Sequence, residues 1–290
     1  MGTRALVLSG GAVVGGAWET GLVKGLEDGG VALAEADLIV GTSAGSVVGS
    51  LLACGRSPSE MYEEQLAPID AGAMPPMNID LKTLTELYGM WGPALESEAK
   101  RAEMGALALE AKTATEEEWL GRFEQAFAGL EWPERPLVLT AVDAETGAFR
   151  TWDRESGVPL ARAVASSCTV PGLFPAVTID GRRYLDGGMR SLTSADLASG
   201  YETVVVIAVL GSRAQDVEAK LGKRIDEEVA ALRDEGSTVE LITPDEASRE
   251  AFGPNPMDIT RRAAIAEAGA RQGVAVAPRL REVWSAAAAA

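Results

Sequence analysis

The chain contains no histidine. A Ser-His-Asp triad, a Cys-His pair, a histidine-ligated zinc and a histidine general base are therefore excluded within it. Cysteine is nearly absent too. Cys54 and Cys168 provide neither a disulfide framework nor the paired spacing of a zinc site, and both read as small core residues. Positive charge is scarce: 26 lysines and arginines face 43 aspartates and glutamates, a net charge of −17. So acidic a chain is a poor partner for nucleic acid or anionic headgroups. Long apolar runs are missing as well. The longest, VVVIAVL (Val204–Leu210), is far too short to span a bilayer and reads as a buried strand. The N-terminus enters a strand at once, without a signal-peptide apolar region. Leu6 stands where a myristoylation motif needs a hydroxyl, so the expected compartment is the cytoplasm.

What is present is ordinary for a globular protein: 290 residues, 47% hydrophobic and 24% charged. No repeat or linker divides it, and a single domain over 1–290 is expected. Strand signals lie at Ala5–Ser9, Asp37–Val40, Leu137–Val142, Ala176–Ile179 with Arg183–Leu185, Thr203–Leu210 and Thr238–Ile242. Helical patterns fall between most of them, at Trp18–Asp28, Ala44–Cys54, Leu160–Ser167, Val217–Asp234 and from Ile259 onward. The alternation predicts a three-layer α/β/α sandwich with a mostly parallel sheet. Val142–Asp153 reads as a hairpin turning at Thr146-Gly147. Residues 56–135 differ, being helical or irregular, with Met74, Met77, Met90 and Met104. They read either as a cap with an adaptable inner face for apolar ligands or as ordinary helices packed on the sheet.

Three motifs stand out. In LIVGTSAGSVV, Ser43 sits between Gly41 and Gly45, where a strand ends and a helix begins. It is either a nucleophile exposed on a sharp elbow or a helix N-cap. In LVLSGGAVVGG, a glycine-rich segment leaves a strand and opens a helix, exposing backbone N–H groups to an oxyanion or a pyrophosphate. For a dinucleotide the pattern is imperfect: Ala12 stands at the middle glycine, and Glu35 precedes the second strand where an acid should close it. In RRYLDGGM, Asp186-Gly187-Gly188 follows a short strand. Alone it is a turn signal; without histidine it also offers a carboxylate base for a serine.

These pieces, in this order, resemble the patatin-like phospholipase family of serine–aspartate lipid acyl hydrolases. The resemblance runs through LVLSGGAVVGGAWETGLVKGLEDGGV, DLIVGTSAGSVVGSLLA, SSCTVPGLFPAVTIDGRRYLDGG and PMDITRRAAIAEAGARQG. It implies a dyad of Ser43 and Asp186, an oxyanion hole from amides of Gly10, Gly11 and Ala12, and supporting glycines at Gly15, Gly41, Gly45, Gly187 and Gly188. It implies a phospholipase A or esterase type of reaction through an acyl-serine, with no cofactor and no metal. The partner is a lipid or acyl ester, with peripheral contact with membranes or lipid aggregates; the acidic surface favours neutral or zwitterionic ones. Three departures stand in the first motif. Ala12 replaces a glycine, and is accommodated without strain only at negative φ. Val14 replaces a basic residue, and one extra residue separates Gly15 from the expected helix start at Trp18. The altered loop keeps a second reading open, a patatin-fold protein that binds fatty acyl ligands without turnover. A dinucleotide-dependent oxidoreductase rests on the first motif alone and leaves the other two unexplained.

Overall fold

The structure, a computed structural model, describes residues 2–69, 91–92, 94–210 and 215–289. Five parallel strands form the centre of an eight-stranded sheet. They are β1 (Arg4–Leu8), β2 (Leu38–Gly41), β3 (Leu137–Asp143), β7 (Thr203–Ile207) and β8 (Thr238–Ile242). With β5 (Val177–Ile179) and β6 (Arg182–Asp186) the order is β5-β6-β3-β2-β1-β7-β8; β4 (Phe149–Trp152) pairs with β3. The expected hairpin is present, antiparallel from Val142↔Phe149 to Leu139↔Trp152, with Gly147 at φ +73° in its turn.

Alternation along the buried strands builds two cores. Leu6, Leu8, Ile39, Val205 and Ile207 face one side, toward α1 (Ala12–Asp28), α2 (Ala44–Ala53), α6 (Leu160–Ser167) and α9 (Arg262–Ala289). Ala5, Val7, Val40, Val204 and Val206 face the other, toward Ile225, Val229 and Leu232 of α7 (Gln215–Asp234). The result is the expected three-layer sandwich. Further helices among the described residues are α3 (Pro58–Leu66), α4 (Glu98–Glu110), α5 (Glu116–Ala126) and α8 (Glu246–Phe252).

The register of β3 decides where the candidate residues meet. Leu139 pairs with both Gly41 and Trp152, and Ala141 with both Arg150 and Asp186. β4 therefore occupies one edge of β3, while β2 and β6 share the other. β2 runs parallel to β3 and β6 antiparallel, so their C-terminal ends approach head to head, with Thr140 between them.

One expectation changes and one open pair of readings is narrowed. Helix α1 begins at Ala12, not Trp18: the glycine-rich segment beyond Gly11 is already helical. Its glycines are small because close neighbours leave no room: a Cβ on Gly15 would sit 3.2 Å from Val209 Cγ2, just beyond β7, and one on Gly16 3.7 Å from Ala44 Cβ. Met104, on the helix Glu98–Glu110, is buried with Trp91, Val142 and Leu185, which is the reading as ordinary helical packing. Met74, Met77 and Met90 lie outside the described residues.

Candidate active site

Ser43 occupies the N-cap position of α2, yet its side chain makes no capping hydrogen bond. Its backbone is at φ +53°, ψ −118°, a conformation that costs a side-chain-bearing residue about 1–3 kcal/mol. The neighbours hold it there. The Ser43 N–H donates to Ser167 Oγ at 2.9 Å, and Gly45 N–H donates to the carbonyls of Ser9 (3.0 Å) and Thr42 (2.9 Å). The elbow passes so close to β1 that a Cβ on Gly45 would stand 2.3 Å from the Leu8 carbonyl oxygen; on Gly41 it would stand 2.7 Å from that of Gly45. Both glycines are sterically required.

Asp186 closes β6 and is 1% exposed. Its Oδ1 accepts from Gly188 N–H at 2.8 Å, and its own N–H donates to the Thr169 carbonyl at 2.9 Å. The chain turns immediately at Gly187, where a Cβ would fall 2.1 Å from Thr140 Oγ1. That hydroxyl is in turn 2.8 Å from Thr42 Oγ1, so one threonine pair joins the two strand ends. Leu192 packs against both Gly10 and Gly188. A Cβ on Gly10 would touch both Leu192 Cδ2 and Ser43 Cβ at 3.3 Å; one on Gly188 would lie 3.4 Å from the same methyl and 3.0 Å from Asp186 Oδ1.

Gly10 N–H donates to the Leu192 carbonyl at 2.8 Å and is committed. Val14 N–H reaches the Pro256 carbonyl and Gly15 N–H that of Gly11. The amides of Gly11, Ala12 and Val13, by contrast, have no acceptor among the described residues. Of the three amides expected to face an oxyanion, that of Gly10 is thus engaged and those of Gly11 and Ala12 are not, and they lie at a helix start whose dipole favours negative charge. Ala12 sits at φ +57°, against the expectation of a negative angle. The left-handed region costs an alanine about 1–2 kcal/mol.

Ser43 and Ala12 both open on one cavity of about 730 Å³. Its wall is apolar: Val47, Leu51, Met61, Phe123 and Phe127, with Trp119 stacked on Phe174 at 3.9 Å. Arg56 with its ion-pair partner Glu64, and Arg122 above Trp119, stand in the same lining. Within residues 56–135, α3 and α5 thus border the cavity and α4 does not. Cys168 also lines it, and its thiol donates to the Ser43 carbonyl at 3.2 Å. Burial, with the nearby Asp186 carboxylate, pushes that thiol far up, which leaves it an inert donor.

Residues 6–198, about two thirds of the chain, match the patatin-like phospholipase family. The chain belongs to that family. Patatin-like phospholipases support lipid acyl hydrolysis in general. No curated protein sequence matches the chain. Among solved structures it is similar to VipD from Legionella pneumophila, at 14% identity and a TM-score of 0.44, over 94% of this chain and 67% of that one. It is also similar to the type III effector protein ExoU, at 14% identity and a TM-score of 0.37, over 94% of this chain and 53% of that one. This chain thus corresponds to about half of ExoU. Among the described residues no helix of this patatin-like chain is long and apolar enough to cross a membrane.

Several site residues carry no sequence signal of their own. Trp91 donates from Nε1 to the Gly188 carbonyl at 2.9 Å, Leu192 fills the gap between the motifs, and Ser167 holds the elbow. Ser167 lies inside the SSCTVPG stretch of the resemblance and was findable there; Trp91 and Leu192 were not.

Proposed function

We propose that the chain is a lipid acyl hydrolase working through Ser43 and Asp186. The observation that carries this is the convergence on one apolar cavity of a strained serine and unused N–H groups of a helix start. Ser43 Oγ attacks the ester carbonyl carbon, and its proton passes to the Asp186 carboxylate. The amides of Gly11 and Ala12 receive the charge that develops on the carbonyl oxygen; one such donor is worth about 3–4 kcal/mol of barrier. The carbon–oxygen bond to the alcohol then breaks, and the alcohol leaves with the proton from Asp186. Water, deprotonated by Asp186, attacks the acyl-Ser43 carbonyl; the bond to Ser43 Oγ breaks, Asp186 returns the proton to that oxygen, and the fatty acid is released. A free aspartate is a weak base; hydrogen-bond contact with the attacking hydroxyl and exclusion of water would make this one serviceable. The acyl chain lies against Trp119, Phe123 and Met61. With a net charge of −17, the preferred substrates are neutral or zwitterionic lipids and soluble acyl esters.

The test is covalent labelling with a fluorophosphonate, read by intact mass and peptide mapping. The expected result is one adduct, on Ser43, absent from Ser43→Ala and slowed roughly a hundredfold or more in Asp186→Asn. An adduct on another serine, or none, would favour the acyl-binding reading instead.

A further inference from the structure

Residues Ser191–Ala195, a few positions beyond Asp186, are all buried. They wind around two acceptors. Ser191 Oγ accepts from Thr193 N–H at 3.2 Å and from Ser194 N–H at 2.9 Å. Glu228 of α7 is the second. Its Oε2 accepts from Thr193 Oγ–H at 2.7 Å and from Ala195 N–H at 2.9 Å, and its Oε1 from Arg224 Nε at 3.1 Å. The Glu228 side chain is only 5% exposed. A carboxyl group is tolerated there because donors meet both of its oxygens, and removing it would leave the Thr193 hydroxyl and the Ala195 amide buried without an acceptor. Ser194, between them, sits at φ +49°, a left-handed angle that a serine does not prefer. The segment therefore owes its shape to these tethers and not to local preference.

The same segment reaches the glycine-rich loop. The Leu192 carbonyl accepts from Gly10 N–H at 2.8 Å, and the Leu192 side chain packs against Gly10 and Gly188. On its other side, the Gly10 carbonyl accepts from Ser9 Oγ–H at 3.2 Å. A glycine has no side chain to restrict its dihedrals, so Gly10 depends on what holds its peptide groups. Its carbonyl and the Gly11 N–H belong to one planar unit, and a rotation at Gly10 turns both. We infer that Glu228 is a positioning residue of the site: through Thr193 and Ala195 it fixes the Leu192 carbonyl, which holds Gly10 and thereby aims the Gly11 N–H at the oxyanion. The inference rests on the function proposed above. Glu228 lies beyond residues 6–198, which the family match covers, and α7 packs on the side of the sheet opposite α1 and α2. Glu228 does not line the cavity. Its loss should therefore slow the chemical step and leave binding in the cavity as it was.

The experiment compares wild type with Glu228→Leu, Glu228→Gln, Thr193→Val and Leu232→Ala. Leucine fills the space and accepts nothing; glutamine keeps an oxygen for Thr193 and Ala195. Leu232, one turn further along α7, is an apolar core residue, and its truncation is the control for lost stability alone. Fluorophosphonate labelling of Ser43 is followed against reagent concentration, below the melting transition of every variant. This separates reagent binding from the maximal rate. Glu228→Leu should cut the maximal rate roughly tenfold or more at unchanged half-saturation, and Thr193→Val should cut it less. Glu228→Gln should stay within about threefold of wild type, because its hydrogen bonds to the segment survive. Leu232→Ala should melt lower yet label like wild type. A wild-type rate in Glu228→Leu would overturn the inference. So would a Glu228→Gln protein as slow as Glu228→Leu, or a Leu232→Ala protein slowed to the same degree. If Glu228→Leu does not fold, Thr193→Val decides: labelling slower than in Leu232→Ala supports the tether, and a wild-type rate refutes it. If Ser43 takes no label in any protein, the proposed function fails, and the tether is judged by hydrogen exchange at the Gly10 amide. Faster exchange in Thr193→Val than in Leu232→Ala supports it, and equal exchange refutes it.

Discussion

At the residue scale, this site is made by holding two side chains where they do not relax. Ser43 keeps a positive φ because its N–H is tied to Ser167 and both flanking glycines lie against backbone. Glycine tolerates that geometry and alanine does not. Ser43→Gly should therefore be inactive and more stable than Ser43→Ala by about 1 kcal/mol, a difference of roughly 2–4 °C in melting temperature. Equal melting of the two variants would show that the elbow stores no strain. Ala12 carries the same burden at φ +57°. The sequence raised Ala12 as a departure from the family, but its angle was not readable there, because the segment around it is seated by residues distant in sequence: Val14 N–H on the Pro256 carbonyl, Gly11 and Gly15 against Val209.

At the element scale, α1 lies between the sheet and α9 with almost no side chain between backbones. A Cβ on Gly21 would stand 2.0 Å from the Ala266 carbonyl oxygen, and one on Gly25 2.1 Å from that of Ala270. No rotamer relieves a clash with backbone. Gly25→Val should cost about 3 kcal/mol or more, at least roughly 6 °C in melting temperature. Gly222→Ala, in α7 with open space around it, should instead gain up to about 1 kcal/mol. A Gly25→Val protein that melts like wild type would remove this reading of the α1–α9 contact.

Close packing around α1 also bears on what was legible in the sequence. Strand and helix periods placed β8 at Thr238–Ile242 and α6 at Leu160–Ser167 with their observed ends. The start of α1 was misplaced by six residues, because Gly15 and Gly16 read as loop when they are helix made small by its neighbours. Ser43 and Asp186 could be picked out by motif and by the missing histidine. Leu192 and Trp91 could not, since an apolar residue that fills a gap between two motifs looks like any other core residue.

At the scale of the whole molecule, the family match ends at residue 198, but the sheet does not. β7 covers the free edge of β1 from Arg4↔Thr203 to Leu8↔Ile207, and α9 covers α1. Residues 199–289 therefore complete the core that supports both the Ser9–Ala12 segment and the elbow. A chain ending after residue 198 should fail to fold: it would leave an apolar strand edge and the glycine face of α1 open to water. Dispersed amide resonances from that fragment would contradict this.

The head-to-head meeting of β2 and β6 on one edge of β3 has a last consequence. Ser43 and Asp186 are far apart in sequence, yet their strands end opposite Leu139 and Ala141, two positions along a single third strand. β3 acts as a ruler, and Thr140 is its one graduation between the marks. Segments inserted after α2, or between β4 and β5, can lengthen, shorten or diverge without changing that measure. One residue gained or lost inside Leu139–Ala141 would change it at once. A fold gauged in this way can exchange the walls of its cavity, and so its substrates, while the spacing of its proposed nucleophile and base stays the same.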